Sequence, residues 1–213
     1  MPLMAMAMAM AMAMAMAMAM AMPARGVDQA PALEAGRDIQ AAIAWIRATK
    51  HHGGQPFAII DKKAAMLHVI DAAGQPRGLS PVLLGLAVGD DSVPDIGQRK
   101  MSDIQRHERT TPASRFVSEP GRNLQGEDIV WIDYDAAVSM HCVRAGNKAD
   151  RRLQRLATPT AADNRISYGG ANVPAKFYDA LTKPIFGVKP AVVYALPETR
   201  SAQAMLGMAN RAI

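Results

Sequence analysis

The chain has few of the side chains on which several classes of protein depend. Its 213 residues include one cysteine, Cys142, and aromatic residues make up only 5%. A single cysteine excludes an intramolecular disulfide and any cysteine-rich metal site. The sequence contains no glycine-rich phosphate loop and no His/Glu set at metal-ligand spacing, so we expect no metal ion and no cofactor. The net charge of +5 suits an anionic partner, but without a basic-aromatic motif we expect no nucleic acid.

Basic residues are missing ahead of the N-terminal apolar segment. Residues 4–22 alternate strictly between Met and Ala, and no Lys or Arg precedes them. A helix of that length, counted from residue 1, spans roughly 33 Å, enough to cross the hydrocarbon core of a bilayer. The composition predicts a hydrophobic leader over residues 1–22, acting as a signal peptide or a membrane anchor, although the basic n-region of a signal peptide is absent.

The remaining chain divides into three parts. Residues 23–53 read as a linker followed by an amphipathic helix over 38–50, with isoleucines spaced along one stripe. The adjacent His51 and His52 follow, and we expect them to form an exposed helix end rather than a metal site. Residues 54–200 form the main domain, and residues 201–213 a C-terminal tail.

The main domain alternates short apolar runs with turn residues, the pattern of a β-rich fold. Strands are predicted at 57–61, 66–71, 82–88, 115–118, 129–134, 137–143 and 191–196, and helices at 147–156 and 174–181. Residues 89–112 are too long and polar for an inert connection and are predicted to form a surface flap. The fold class expected is mainly β with a few helices, a single domain of mixed or antiparallel sheets.

A glycine-paired loop is the most informative segment. It runs from Ser167 through Gly169 and Gly170 to Val173, directly before Pro174 and a helical pattern. Such a loop delivers residue 170 to a helix N-terminus, where free N–H groups and the helix dipole stabilise an anion such as a thiolate. The position suits a nucleophile, yet it holds a glycine.

Segments 56–62, 109–116, 138–141, 165–174 and 191–199 together resemble the catalytic domain of the L,D-transpeptidases of the ErfK/YkuD type, which cross-link peptidoglycan. Members of that family carry a catalytic His on a strand and later a Ser/Thr-His-Gly-Cys-x-Asn signature with Cys as nucleophile. His141 matches the strand histidine, while Ser167, Gly169 and Asn172 match signature positions. The resemblance implies the family's fold and a ligand among the peptidoglycan stem peptides.

Two signature positions depart from the family, since Tyr168 stands at the histidine and Gly170 at the cysteine. By resemblance His141 would be the base, the Gly169 loop would supply oxyanion donors and Asn172 would support them. Gly170 has no side chain with which to attack a carbonyl, so we expect impaired catalysis. Ser167 or Cys142, acting with His141, is the alternative nucleophile, although neighbours on a strand point to opposite faces.

Ligand-binding residues are predicted from charge and position. Arginines are frequent between His141 and Ser167, and guanidinium groups bind carboxylates bidentately, so Arg144 and above all Arg165 are candidates. A solvated helix face is the alternative reading of the same arginines. Tyr168 is expected over the mouth of the site, contacting a sugar or a peptide, whereas Trp131 is expected in the core.

The sequence thus predicts a peptidoglycan-directed protein of the periplasm or cell envelope with a defunct cysteine site. An active acyl transferase or hydrolase that uses Ser167 or Cys142 with His141 is a second hypothesis. A structural or partner-binding module tethered to a membrane by the leader is a third.

Overall fold

The structure, a computed structural model, describes residues 29–144 and 146–208, with side chains from residue 36 onward. The predicted leader and the last five residues of the tail lie outside these ranges. No helix within them is long and apolar enough to span a bilayer. The described residues from Pro31 onward belong to one folded unit, so most of the N-terminal helix belongs with the strands that follow it.

An eight-stranded mixed sheet dominates the fold. The strands are β1 Phe57–Asp61, β2 Met66–Ile70, β3 Pro76–Pro81, β4 Leu84–Gly85, β5 Ser114–Arg122, β6 Asp128–Asp133, β7 Val138–Cys142, β8 Arg165–Ser167, β9 Ala171–Val173 and β10 Ala191–Leu196. Their order in the large sheet is β3-β2-β1-β10-β5-β6-β7-β9. Its pairs are antiparallel except β1–β10 and β7–β9, which are parallel, and β4 and β8 form a separate parallel pair. The predicted fold class, a β-rich domain with mixed pairing and a few helices, is confirmed.

The helices are short apart from the first. They are α1 Gln29–Thr49, α2 Arg152–Leu156, α3 Ala175–Phe177, α4 Lys183–Phe186 and α5 Ala202–Leu206, with a π-helical turn Tyr178–Thr182 between α3 and α4. The predicted helix 147–156 is broken, because Arg151 adopts a left-handed conformation (φ 50°) between a 3₁₀ turn and α2. The helix predicted at 174–181 continues through the π turn into α4.

The sheet separates two apolar layers, as the alternation of side chains along its strands requires. On one face Phe57, Ile59 and Tyr194 pack with Ile39 and Ile46 of α1. The opposite face carries the larger core, in which alternate residues of β1, β2, β6, β7, β9 and β10 pack with the helical segment after β9. Fully burying each of these large apolar side chains contributes about 1.5–3 kcal/mol.

The N-terminal helix begins earlier than predicted, at Gln29, within the segment interpreted as a linker. Pro31 lies in its first turn, where a missing N–H costs no helical hydrogen bond. The expectation of an exposed His pair is wrong. His52 is buried between the carbonyls of Ile46 and Ala72, and His51 Nδ1 lies 3.1 Å from the Tyr194 hydroxyl.

The strand predicted at 82–88 is also wrong. Leu84 and Gly85 pair with β8, and Leu83 forms a single antiparallel bridge to Asn172, so the buried residues 82–84 form no continuous strand. The strand that adds to the sheet is β3, which sequence analysis missed because Pro76 and Pro81 bound it. An edge strand tolerates such prolines.

The segments predicted as a surface flap and as a C-terminal tail both contain short helical elements. Residues 89–112 contain three short 3₁₀ turns that lie over one end of the sheet. The tail contains α5, whose Ala202 and Leu206 pack in the same layer as α1.

Candidate functional site

A cleft opens on the face of the sheet that also carries α1, at the opposite end. Side chains of directly paired residues share a face, so the register can be followed from strand to strand. The pairs that carry this face across the sheet are Tyr194–Arg115, Glu119–Trp131, Trp131–Ser139 and His141–Asn172. Tyr194 packs under α1, and His141 therefore lies on the same face at the far end.

The cleft has a volume of about 510 Å³ and brings together most of the predicted site residues. His141, Ser167, Tyr168, Gly170 and Asn172 line it, as does Arg144. Residues 96–104 of segment 89–112, which include its first two 3₁₀ turns, line one wall of the cleft, which is the position expected of a flap.

The glycine loop is held by hydroxyl groups. Ser167 Oγ donates to the Gly170 carbonyl at 2.6 Å and accepts the Gly169 N–H at 3.1 Å. Thr111 Oγ1 donates to the Gly169 carbonyl and accepts the Gly85 N–H, both at 2.8 Å. Each hydroxyl bridges two backbone groups, so the loop is fixed within itself and to the strand below.

Both glycines lie too close to neighbouring backbone to carry a side chain. A Cβ at position 170 would lie 2.7 Å from the Ser139 carbonyl oxygen, and one at 169 would lie 2.8 Å from that of Thr110. Gly169 also has φ +132°, which disfavours other residues. Position 170 therefore lacks a nucleophile and, in this arrangement, also lacks the space for one.

His141 is held at both ring nitrogens. Nδ1 lies 2.9 Å from the Cys142 carbonyl, which only accepts, so Nδ1 carries the proton. Nε2 is then the acceptor, and Asn172 Nδ2 donates to it at 3.0 Å. Arg152 fixes the orientation of that amide, because its Nη1 donates to Asn172 Oδ1 at 2.8 Å.

This network decides what His141 can do. Burial lowers the pKa of His141, and the charges of Arg144 and Arg152 lower it further, against the opposing effect of the hydrogen bond to the Cys142 carbonyl. The imidazole is therefore neutral near pH 7, the form that a general base requires. The lone pair on Nε2, which a general base would use, accepts a hydrogen bond from the Asn172 amide.

Ser167 does not replace the missing nucleophile. Both hydrogen bonds of its hydroxyl stay within the glycine loop, and both ring nitrogens of His141 bond elsewhere. A serine requires a base within hydrogen-bond reach to become nucleophilic. The geometry therefore contradicts the pairing of Ser167 with His141.

Cys142 points to the opposite face of the sheet, as its position next to His141 predicts. Its side chain packs against the larger core, its thiol contacts the Val143 carbonyl at 3.5 Å, and it does not line the cleft. Burial raises the pKa of the Cys142 thiol, so little thiolate forms near pH 7. The alternative of a Cys142 nucleophile is contradicted.

We expect Cys142 to alkylate slowly in the folded protein. At pH 7.5, iodoacetamide should modify the native chain at least tenfold more slowly than the chain in 6 M urea, because a partly buried thiol with a raised pKa presents little thiolate. Intact-mass spectrometry over time measures both rates. Equal rates would place Cys142 in solvent and reopen its candidacy.

Arg165 was the strongest ligand candidate, and this prediction is wrong. Its guanidinium forms a close ion pair with Glu198 and donates to the Lys62 carbonyl at 2.7 Å. The side chain of Arg165 is 11% exposed and does not line the cleft. The residue pattern does not indicate the ion pair of Arg165 with Glu198, because Glu198 lies 33 positions away in the chain.

The arginine that sequence analysis underrated is Arg152. It lines the cleft, donates from Nε to Asp150 at 3.0 Å and orients Asn172. Arg144 also lines the cleft and forms an ion pair with Glu127 in which both side chains are about half exposed. The basic rim is therefore partly neutralised by carboxylates, a feature that the arginine spacing alone did not reveal.

Two aromatic residues line the cleft. Tyr168 lies beneath the Arg109 guanidinium, whose central carbon is 3.8 Å from the ring centroid, a cation–π contact at the cleft wall. Trp131 lines the cleft rather than the core, which corrects its predicted place. The predicted faces of its strand are right, since Ile129 also lines the cleft while Val130 and Ile132 belong to the core.

No family model matches the chain, and no curated protein matches it either. The family resemblance therefore rests on the residues quoted above. As for metals, no three His, Cys, Asp or Glu side chains converge into a metal-binding group within residues 29–144 and 146–208.

Proposed function

We propose that this chain is an L,D-transpeptidase-like protein of the periplasm or cell envelope that binds peptidoglycan stem peptides without cross-linking them. One observation carries the proposal: the cleft holds the resembling residues around position 170, where a Cβ would meet the Ser139 carbonyl oxygen at 2.7 Å. The residues that resemble the family signature, Ser167, Gly169 and Asn172, thus surround a position that accommodates no nucleophile.

The chemistry of acyl transfer supports the absence of catalysis. Thioester formation requires a thiolate, a base beside it and donors for the tetrahedral oxyanion. His141 is neutral but its acceptor nitrogen bonds to Asn172, and neither Ser167 nor Cys142 reaches it. A loss of the nucleophile alone reduces such reactions by several orders of magnitude.

The cleft retains groups suited to a peptide carboxylate. The ion pair between Arg144 and Glu127 is about half exposed at both ends, and such pairs are worth only about 0.2–1 kcal/mol. A ligand carboxylate can therefore take the place of Glu127 at small cost. Stem peptides carry carboxylates, and the cleft volume of about 510 Å³ lies within the usual range for small-ligand sites.

We expect opposite effects from substituting the two partners of this pair. Isothermal titration of the full chain with a disaccharide-tetrapeptide should show roughly 10- to 150-fold weaker binding for Arg144→Gln, because a hydrogen bond to a charged group is worth roughly 1.5–3 kcal/mol. Glu127→Gln should bind about 1.5- to 5-fold more tightly, because the competing carboxylate is gone.

Arg122→Gln is the matched control. Arg122 also forms an exposed ion pair, with Asp128, but does not line the cleft, so its substitution should leave binding unchanged. An unaltered chain that is folded and binds no disaccharide-tetrapeptide would overturn the proposed function. Formation of a cross-linked product by the same chain would overturn its non-catalytic part.

A further inference from the structure

The part of the cleft next to the glycine loop differs in chemistry from the loop itself. Trp131 lines it from β6, and the exposed ring of Tyr134 meets the indole edge-on, with centroids 5.2 Å apart. Trp131, in contact with this second ring, thus presents an aromatic side chain to the cleft.

Gly121 of β5 builds the seat for Trp131. A Cβ at position 121 would lie 2.5 Å from the indole Nε1 and 2.6 Å from Cδ1, so the indole occupies the space that a side chain would take. The Nε1 edge of the indole therefore lies against Gly121, and no acceptor among the described residues bonds to it. The ring is supported on this side by the backbone of β5.

Charge at this end of the cleft is neutralised. Arg99 lines the cleft, and both of its terminal nitrogens donate to the Glu108 carboxylate, at 2.9 and 3.0 Å. Gln125 also lines the cleft, and within the described residues its side-chain amide forms no hydrogen bond. Aromatic faces combined with uncharged amide groups suit a ligand that has an apolar ring face and a rim of hydroxyl or acetamido groups.

We propose that Trp131, seated on Gly121, is the platform of a saccharide subsite that binds an uncharged pyranose oligosaccharide in the part of the cleft that Trp131 lines. The inference rests on the proposed function, whose peptide it extends to the sugar that carries it. Trp131 pairs directly with Ser139, and His141 follows two residues later on the same face. Diagonal neighbours of this kind are about 7–8 Å apart, which allows a sugar and its attached peptide to occupy both parts of the cleft together.

The test uses chitotetraose, an uncharged N-acetylglucosamine oligomer, and the full chain carrying Trp45→Phe. The chain has two tryptophans, so this variant makes Trp131 the sole indole reporter. Trp45 packs against the apolar layer around α1 and does not line the cleft, so its substitution should leave saccharide affinity unchanged by titration calorimetry. We expect saturable quenching or a blue shift of Trp131 fluorescence on titration.

Three variants test whether the binding of chitotetraose depends on the Trp131 indole. Trp131→Ala should lower the affinity for chitotetraose at least tenfold, and Trp131→Phe should retain part of it. Gly121→Ala should lower it as well, because the added methyl displaces the indole. If Trp131→Ala fails to fold, the fluorescence titration and Gly121→Ala still decide the matter.

The outcomes separate this inference from the proposed function. A folded chain that shows neither a fluorescence change nor heat with chitotetraose, yet binds the free tetrapeptide, overturns the saccharide subsite and leaves the peptide function standing. Saccharide binding that is equal in Trp131→Ala and the unaltered chain also overturns it. Trp131-dependent saccharide binding without any peptide binding supports the subsite and overturns the peptide function.

Discussion

Replacing Gly170 with cysteine should destabilise the protein rather than restore an acyl transferase. The new Cβ would lie 2.7 Å from the Ser139 carbonyl oxygen, which belongs to β7 and cannot move as a side-chain end would. Overpacking of this kind costs about 1–3 kcal/mol. Thermal denaturation should therefore show a melting temperature lower by roughly 2–12 °C, at 2–4 °C per kcal/mol for a chain of this size.

Activity of Gly170→Cys should stay at background in a mass-spectrometric assay for cross-linked disaccharide-tetrapeptide. His141 would not serve as its base, because the acceptor nitrogen of His141 bonds to Asn172. Gly36→Ala is the matched control, because Gly36 lies within α1 with no heavy atom within 4 Å of a Cβ. Alanine there should be neutral or stabilising by up to about 1 kcal/mol.

A Gly170→Cys protein that is as stable as the unaltered chain and forms cross-linked product would contradict this prediction. The loop would then adapt to a side chain, and the glycine would be a simple loss of the nucleophile. Loss of stability without activity would mean that β7 and the glycine loop lie too close together to accommodate a side chain at position 170.

Lys62→Met should cause the larger loss of stability. Lys62 is fully buried, and its Nζ lies 2.8 Å from Asp90 Oδ1 and 3.4 Å from Glu198 Oε1. Without the ammonium group both carboxylates remain buried beside each other with less compensation. Removing one partner of a buried pair costs about 3–5 kcal/mol, equivalent to a fall in melting temperature of roughly 6–20 °C.

Lys183→Met is the control for Lys62→Met. Lys183 Nζ also forms a close ion pair, 2.6 Å from Asp128 Oδ2, but its side chain is 50% exposed. Its substitution should change the free energy of unfolding by about 1 kcal/mol or less. Equal losses of stability in Lys62→Met and Lys183→Met would show that the contribution of Lys62 to stability does not depend on its burial.

The same cluster predicts acid sensitivity. Burial favours the protonated form of Asp90, but hydrogen bonds from Lys62, Thr199 and the Glu198 N–H outweigh it and hold the pKa of Asp90 well below its ordinary value. A carboxyl whose pKa is lower in the folded state contributes stability above its unfolded pKa of about 4, and that contribution is lost as the pH falls below it.

Urea unfolding from pH 6 to pH 2 measures this dependence. The urea concentration at the midpoint of unfolding should decrease for the unaltered chain as the pH falls below about 4. For Asp90→Asn that midpoint should be lower at pH 6 and should decrease less with falling pH. Part of the pH dependence of the midpoint will remain in Asp90→Asn, because the Arg99 guanidinium also lowers the pKa of Glu108, to about 2. An unchanged slope in Asp90→Asn would mean that Asp90 gains no such stabilisation from its partners.

The local pattern was sufficient wherever a strand or helix buries a regular stripe. The bounds of β10 were predicted at both ends, and the two faces of β6 were assigned correctly, because alternation along a strand is imposed by the backbone. The same alternation placed Cys142 on the face opposite His141. It failed at 82–88, where the buried residues make only a two-residue pairing with β8 and one isolated bridge to Asn172.

Charge was harder to interpret than periodicity. Arg165 and Arg152 look alike in the sequence, yet the first pairs with Glu198 and the second orients Asn172 in the cleft. Partners of a guanidinium are fixed by contacts between distant segments, so spacing along the chain carries no information about them. Trp131 was misplaced for a related reason, since a strand face can meet either a core or a cleft.

The sequence by itself determined the β-rich class, the faces of the main strands and the absence of a side chain at position 170. Only the tertiary structure decided that the Ser139 carbonyl closes the space at Gly170, that Asn172 occupies the acceptor nitrogen of His141, and that carboxylates pair with the arginines of the cleft. The physical reason is that local backbone geometry repeats along the chain and can be predicted from residue patterns. Close approach, hydrogen-bond occupancy and ion pairing arise between segments far apart in sequence, and they exist only once the sheet has assembled.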